Sequence, residues 1–388
     1  MDDRNDKSAK CKFVLIMLFH MLILFVEGRR VEFMKNRELL MHEGTVKTIK
    51  GEDGDVIDCV DINKQPAFNH PLLKSHTIQM KTHVHSSGTE SENNHNILFQ
   101  SWHKNGECPE GTIPILRTPH SNRRRRSYPT VSQKRRANDF SAPPGHEYAL
   151  VALVGGQYYG ARATINVWNP ATYQGEFSFA QIWVGSGEGD EANTMEVGWL
   201  VNNGENKTRL FTYWTRDDYR STGCYNLVCP GFVQTTTQIS LGAAVEPVSR
   251  YGAEQFEMII TITKDKSSGN WWLLMQDQFI GYWPGSIFTS LADCSTEINW
   301  GGEITNSEFA GHHTSTQMGS GHFPEESFGK ACFFRKIGYV DESGNMRDPK
   351  DLQVYVTKPP CYDLRFAKYE GDGISFYFGG PGYSDKCP

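Results

Sequence analysis

The chain reads as an all-β protein, a sandwich or barrel preceded by a small cysteine-containing domain. Three observations carry that reading. Short runs of alternating apolar and polar residues recur from His146 to the C-terminus. Gly, Asn and Asp turn signals separate them, in a sequence with 37 glycines and 12% aromatic residues. Amphipathic helical stretches are almost absent, which leaves a sandwich or barrel. A length of 388 residues accommodates one large domain with an accessory segment.

The N-terminus opens with Lys7, Lys10 and Lys12, runs apolar from Phe13 to Val26 with one interruption at His20, and ends in Val26-Glu27-Gly28. A basic region, a short apolar core and small residues at a cut after Gly28 make a signal peptide over 1–28. An uncleaved signal anchor is the rival, and this is the one expected contact with a membrane. Residues 29 to about 117 are charged and weakly patterned, and Cys59 and Cys108 can close them into an accessory unit. From Thr118 to Gly145 the composition turns to Arg, Ser, Pro and Asn without apolar periodicity, an exposed linker. Its basic clusters, Arg123 to Arg126 and Lys134 to Arg136, read behind a signal peptide as processing sites, cut after Arg126 or Arg136. A merely solvated basic linker is the alternative. The expected division is therefore signal peptide 1–28, propeptide 29–126, basic and Pro-rich linker 127–145, and β-sandwich 146–388. The net charge of -6 argues neither for nor against a nucleic-acid partner by itself, and none is expected of a secreted chain.

Beyond His146 the alternation assigns faces. In EFSFAQIWVG, Phe177, Phe179, Gln181 and Trp183 oppose Ser178, Ala180, Ile182 and Val184. In NTMEVGWLV, Thr194, Glu196, Gly198 and Leu200 oppose Met195, Val197, Trp199 and Val201. RLFTYWT, GFVQTTTQISLG, FEMIITITKD, NWWLLMQDQFIGYW, INWGGEI and ISFYFGG read as further strands, with a hairpin loop over Lys264 to Asn270. Glu303 ends INWGGE behind two glycines that permit close approach of a ligand.

Two carboxylates on separate strands can share a cleft, one acting as base on water while the other, protonated, acts as acid. The opposing reading of Glu196 and Glu303 is two rim residues paired with arginine or solvent. Gln181, Trp183, Trp199, Tyr213, Trp214 and Trp300 lie on the same or neighbouring runs and are the candidate substrate contacts, although most aromatics in a sandwich are core. His312, His313 and His322 lack placed carboxylate or thiol partners, so no metal and no cofactor is expected. Gly319-Ser320-Gly321 is no nucleophile elbow, for want of a strand leading into a helix. Asn206-Lys207-Thr208 is a glycosylation acceptor in a turn-rich segment. Of nine cysteines, Cys11 would leave with the signal peptide, and the even remainder favours disulfides over zinc at Cys224-x4-Cys229.

These segments resemble the plant neprosin family of glutamic peptidases. DCVDINKQPAFNHPLLKSH and CPEGTIPILR are similar to its activation peptide. GARATINVWNP, QIWVGSG to NTMEVGWLVN, LFTYWTRDDYRSTGCYNLVCPGFVQT, LGAAVEPVS, WGGEI and HFPEESFGKA are similar to its catalytic domain. The resemblance implies a β-sandwich whose catalytic glutamates fall on Glu196 and Glu303, and a post-proline endopeptidase secreted to the extracellular space, cell wall or vacuole. Its partners would be proline-containing peptides or proteins, with its own propeptide as inhibitor. Cys294 and Cys332 stand where relatives are expected to have other residues. The expected bridges are Cys294 with Cys332, Cys224 with Cys229, Cys361 with Cys387 and Cys59 with Cys108. The rival functions are a glycoside hydrolase or lyase, which also suits two carboxylates in a sandwich cleft, and a non-catalytic wall-binding protein.

Overall fold

The computed structural model describes residues 41–82, 84, 99–118, 142–202, 205–308, 311–367 and 373–388. The expected signal peptide, Arg126 and Arg136 lie outside the described residues, as do residues 29–40 and 127–141. Every element described below lies in one compact unit.

Three N-terminal strands, β1 (Thr45–Lys50), β2 (Val56–Asp61) and β3 (Thr112–Leu116), form an antiparallel sheet in that order. The sandwich is built from β4 (His146–Tyr158), β5 (Gly160–Asn166), β6 (Phe177–Ser186), β7 (Asn193–Asn202), β8 (Arg209–Thr215), β9 (Cys224–Tyr225) and β10 (Val233–Gln234). It continues with β11 (Glu257–Lys264), β12 (Trp271–Met275), β13 (Gln278–Trp283), β14 (Ser295–Thr305), β15 (Met318–Gly319) and β16 (Cys332–Val340). The last strands are β17 (Met346–Arg347), β18 (Gln353–Val356), β19 (Asp363–Ala367) and β20 (Ile374–Gly380). One seven-stranded sheet runs β18-β4-β14-β6-β7-β8-β9. The other, of ten strands, runs β10-β13-β12-β11-β5-β16-β20-β15, with β17 beside β16 and β19 beside β20. The run NWWLLMQDQFIGYW is a hairpin, because Gln276 and Asp277 take positive φ and turn β12 into β13.

The two sheets bury a common apolar core. Ala180, Ile182 and Val184 of β6 and Met195, Val197 and Trp199 of β7 face Ala161, Ala163 and Ile165 of β5 across it. This is the burial the alternation demands of one face of each strand. Val60, Leu73 and Ile113 of the N-terminal domain belong to the same cluster, so that domain shares the sandwich core and is not packed around Cys59 and Cys108 alone. Polar clasps reinforce the contact. Asp55 accepts a bidentate pair from Arg209 and the Ala244 N–H. Gln65 exchanges hydrogen bonds with the Gln234 backbone, and Asp265 accepts from Gln79 and Thr82 at 2.9 Å each.

Disulfides join Cys59 to Cys108, Cys224 to Cys229 and Cys361 to Cys387. The bridge expected between Cys294 and Cys332 is not made, and both are free among the described residues. Cys332 opens β16, whereas the charges acting on Cys294 are those of Asp293, Lys264, Glu342 and Lys266, beyond the other end of that strand. Nine residues of strand span roughly 25 Å, far beyond disulfide reach.

Two histidines make the docking of the N-terminal domain sensitive to pH. His76 Nε2 lies 2.8 Å from the Tyr282 hydroxyl, and burial lowers the affinity of this imidazole for a proton. His70 packs edge-on against Trp214 and is lowered by burial and by Arg216. Docking therefore favours the neutral rings. Its full strength is present above about pH 6.5, the ordinary histidine value, and is lost as the pH falls through the lower docked values. Limited proteolysis of the intact chain should release the N-terminal domain faster at pH 5 than at pH 7.5, and His70→Gln with His76→Gln should flatten the difference. Equal rates for the wild type at both pH values would contradict this.

Candidate active site

The middle strand of the seven-stranded sheet sets the site. On β6, Phe179 pairs with Glu303 of β14 and Leu200 of β7, Gln181 with Gly301 and Gly198, and Trp183 with Asn299 and Glu196. All these side chains occupy the face opposite the core. Glu303 and Glu196 thus share one face, two strands apart and displaced along β6 from Phe179 to Trp183. Strand spacing and rise place their Cα atoms about 16 Å apart, on a diagonal with Gln181 at its centre. Glycines flank Gln181 on both sides. A Cβ at Gly198 would lie 2.0 Å from the Ala180 carbonyl oxygen, and one at Gly301 would lie 2.4 Å from that of Ala149. The carboxylates therefore bracket a strip poor in side chains.

Glu303 is 4% exposed and meets three donors. His146 Nδ1 and the Tyr148 hydroxyl approach Oε1 at 2.6 and 3.0 Å, and Gln181 Nε2 approaches Oε2 at 3.0 Å. Glu196, 7% exposed, has a different shell. Thr194 Oγ1 donates to its Oε1 at 3.0 Å, and the Tyr219 hydroxyl donates to the same oxygen. Beside it the Tyr213 phenol is pushed above its ordinary value by burial and by the negative charges of Glu196 and Asp217. Gln181 Oε1 and Asn299 Oδ1 are buried and have no hydrogen-bond partner among the described residues.

Aromatic walls flank the strip. Tyr148 and Trp183 lie on one side with ring centroids 6.4 Å apart, joined by Ala142 from the segment leading into β4. Phe177, Phe179, Phe211, Tyr225 and Tyr213 form the other.

Of the six candidate contacts, Gln181, Trp183 and Tyr213 lie on the carboxylate face. Trp199, Trp214 and Trp300 do not. Their alternation turns them into the core between the sheets, where they are 0%, 3% and 0% exposed. The indole N–H groups of Trp199 and Trp300 bond to the Asn166 and Arg162 carbonyls of the opposite sheet. The residues that sequence reasoning missed are His146, Tyr148, Thr194 and Tyr219. His146 and Tyr148 carried a readable signal, two polar aromatics spaced by two at the start of a strand. Tyr219 carried none, because its loop returns to β7 only through the tertiary fold. His313 is paired with Glu147 at 3.0 Å, which raises its affinity for a proton against the effect of burial. It closes against the Cys361–Cys387 disulfide, whose sulfurs are committed to each other. Asn206 is exposed, and its side-chain oxygen accepts from Asn169.

Residues 174–381 match the family described as Neprosin, and residues 48–152 match that described as Neprosin activation peptide. Among solved structures, the chain is similar to a Scytalido-glutamic peptidase crystallised with a peptide-based transition state analog. The identity is 12%, covering 61% of this chain and 98% of that one, with a TM-score of 0.33. It is also similar to SCP-B, a member of the Eqolisin family of peptidases in complex with the tripeptide Ala-Ile-His, at 10% identity over 60% of this chain and 96% of that one, with a TM-score of 0.32.

The reassignment of the tryptophans is testable by stability alone. Trp199→Ala and Trp300→Ala each remove a buried indole from between the sheets and should cost about 3–5 kcal/mol. A urea midpoint unchanged from wild type in either variant would place that residue outside the core.

Proposed function

The chain belongs to the neprosin family and is built as a peptidase zymogen, an activation peptide ahead of a hydrolase domain; on that premise we propose that it is a secreted, acid-active glutamic endopeptidase cleaving after proline. The observation that carries the proposal is the diagonal of Glu303, Gln181 and Glu196 on one sheet face, with glycines on either side of its centre.

The two hydrogen-bond shells support different roles. Glu303 is met by the Gln181 NH₂ group, which only donates, and by His146 and Tyr148, so it is fitted to act as an acceptor. Glu196 is met by hydroxyl groups, which can reverse from donor to acceptor when the carboxyl takes a proton. Glu303 then serves as base and Glu196 as acid. A water placed over the strip loses a proton to Glu303 as its oxygen bonds to the scissile carbonyl carbon, while Glu196 gives its proton to the carbonyl oxygen. On collapse the C–N bond breaks, the leaving nitrogen takes the proton held by Glu303, and the hydroxyl returns one to Glu196. Trp183, between Glu196 and Asn299 in the sheet, is the proposed platform for the proline ring, and Tyr213 lines the far side. The match of residues 48–152 to the activation peptide supports inhibition by the chain's own propeptide.

Glu196→Gln and Glu303→Gln should each lower turnover of a proline-containing peptide at acid pH by about 10²-fold or more. The reading would fail if either mature variant cleaved at the wild-type rate.

Processing and modification are tested on the secreted protein. We propose cleavage after Arg126 or Arg136 and a glycan on Asn206. N-terminal sequencing should begin at residue 127 or 137, and Asn206→Gln should lower the mass by one glycan. An N-terminus elsewhere would remove the basic-site assignment, and an unchanged mass would remove the glycan.

A further inference from the structure

The loop from Arg216 to Gly223 carries a feature for which the reaction just proposed gives no reason. Asp218 and Tyr219 both adopt left-handed backbone conformations, with φ of 53° and 61°. A bulky aromatic residue is disfavoured there, and such a conformation persists only where the surroundings over-determine it.

The surroundings here do so. Asp217 accepts hydrogen bonds from the backbone N–H groups of Ser221 and Thr222 at 3.0 and 3.1 Å and from both of their hydroxyls. The Tyr219 N–H donates to Thr215 Oγ1 at 3.0 Å, and the Asp218 N–H donates to the Ala192 carbonyl at 3.0 Å. Arg220 pairs with Asp190 on the neighbouring loop, and the Cys224–Cys229 disulfide closes the exit. Against the effect of burial, its hydrogen bonds with Ser221 and Thr222 hold the Asp217 carboxyl down to about 2, so the latch survives acid conditions.

This strained, latched loop delivers one group. The Tyr219 phenol, on a residue 8% exposed, lies on Glu196 Oε1, and Thr194 Oγ1 closes a triangle with both, 3.0 Å from the carboxylate and 3.2 Å from the phenol. The Tyr213 ring stacks on Tyr219 at 5.6 Å.

We infer that Tyr219 is a positioning residue that acts through Glu196, aiming its carboxyl and setting the pH at which it gives up its proton. The inference rests on the proposed role of Glu196 as acid. Tyr213 of β8, Tyr225 of β9 and Asp217 of the loop also face this corner, with Gln181 and Glu303 across β6. Burial and the charges of Glu196 and Asp217 keep the Tyr213 phenol protonated throughout the working range. A hydrogen bond donated to the carboxylate favours its charged form. Removing that donor therefore extends the acid form of Glu196 to higher pH.

The test is a pH profile of kcat and KM for the mature enzyme on a proline-containing peptide, with thermal melting as a check on folding. Tyr219→Phe keeps the ring and removes the bond. It should lower kcat about tenfold to a hundredfold, leave KM within twofold, and move the alkaline limb to higher pH. Thr222→Val leaves Glu196, Tyr219 and the charge of Asp217 in place but loosens the latch, and should move the same limb in the same direction by less. It decides the matter should Tyr219→Phe fail to fold. If the profiles of the folded variants superimpose on that of wild type, the inference is overturned, while inactive Glu196→Gln and Glu303→Gln enzymes would leave the glutamate reading standing. Full activity in Glu196→Gln would overturn both.

Discussion

A carboxylate 4% exposed in the middle of a sheet is tolerable only if donors meet its oxygens. Glu303 is met from β4 on one side and β6 on the other, so its burial couples the registers of three strands. Shifting β4 against β14 by one residue would turn His146 and Tyr148 into the core and leave the carboxylate with one donor. The same registers place Trp183 beside Glu196 and open the strip over Gln181. Site and fold are therefore specified by one constraint, the satisfaction of a buried acid.

The bracketed arrangement differs from a pair of carboxyls sharing one proton. Glu303 and Glu196 stand at opposite ends of a diagonal, each with its own shell: an amide, an imidazole and a phenol for one, hydroxyls for the other. Gly198 and Gly301 make this possible, because a Cβ at either would strike the adjoining strand.

The N-terminal domain is joined to the sandwich in the manner of a core element. It contributes apolar side chains to the main cluster, and its buried Asp55 is neutralised by Arg209 of β8. Removing one member of such a pair costs more than the pair contributes, since the remaining charge stays buried. Its histidines add pH dependence to the attachment without touching the carboxylates.

Much of this was legible in the residues. Period-two alternation made NTMEVGWLV and EFSFAQIWVG strands and put Glu196 and Gln181 on polar-facing positions, because side chains of a strand must alternate between faces. It also placed Trp199 opposite Glu196, and the structure follows the alternation, burying that indole between the sheets. The even cysteine count pointed to disulfides but not to partners, since pairing depends on distance in space, and Cys332 opens β16 whereas Cys294 lies beyond the other end of that strand. What no local pattern contains is which strands become neighbours. That β6 lies between β14 and β7, that His146 reaches Glu303 across 157 positions, and that the Tyr219 loop folds back onto Glu196 are consequences of long-range pairing. These contacts arise only when the whole core closes, since each strand can bury its apolar face only against partners distant in the chain.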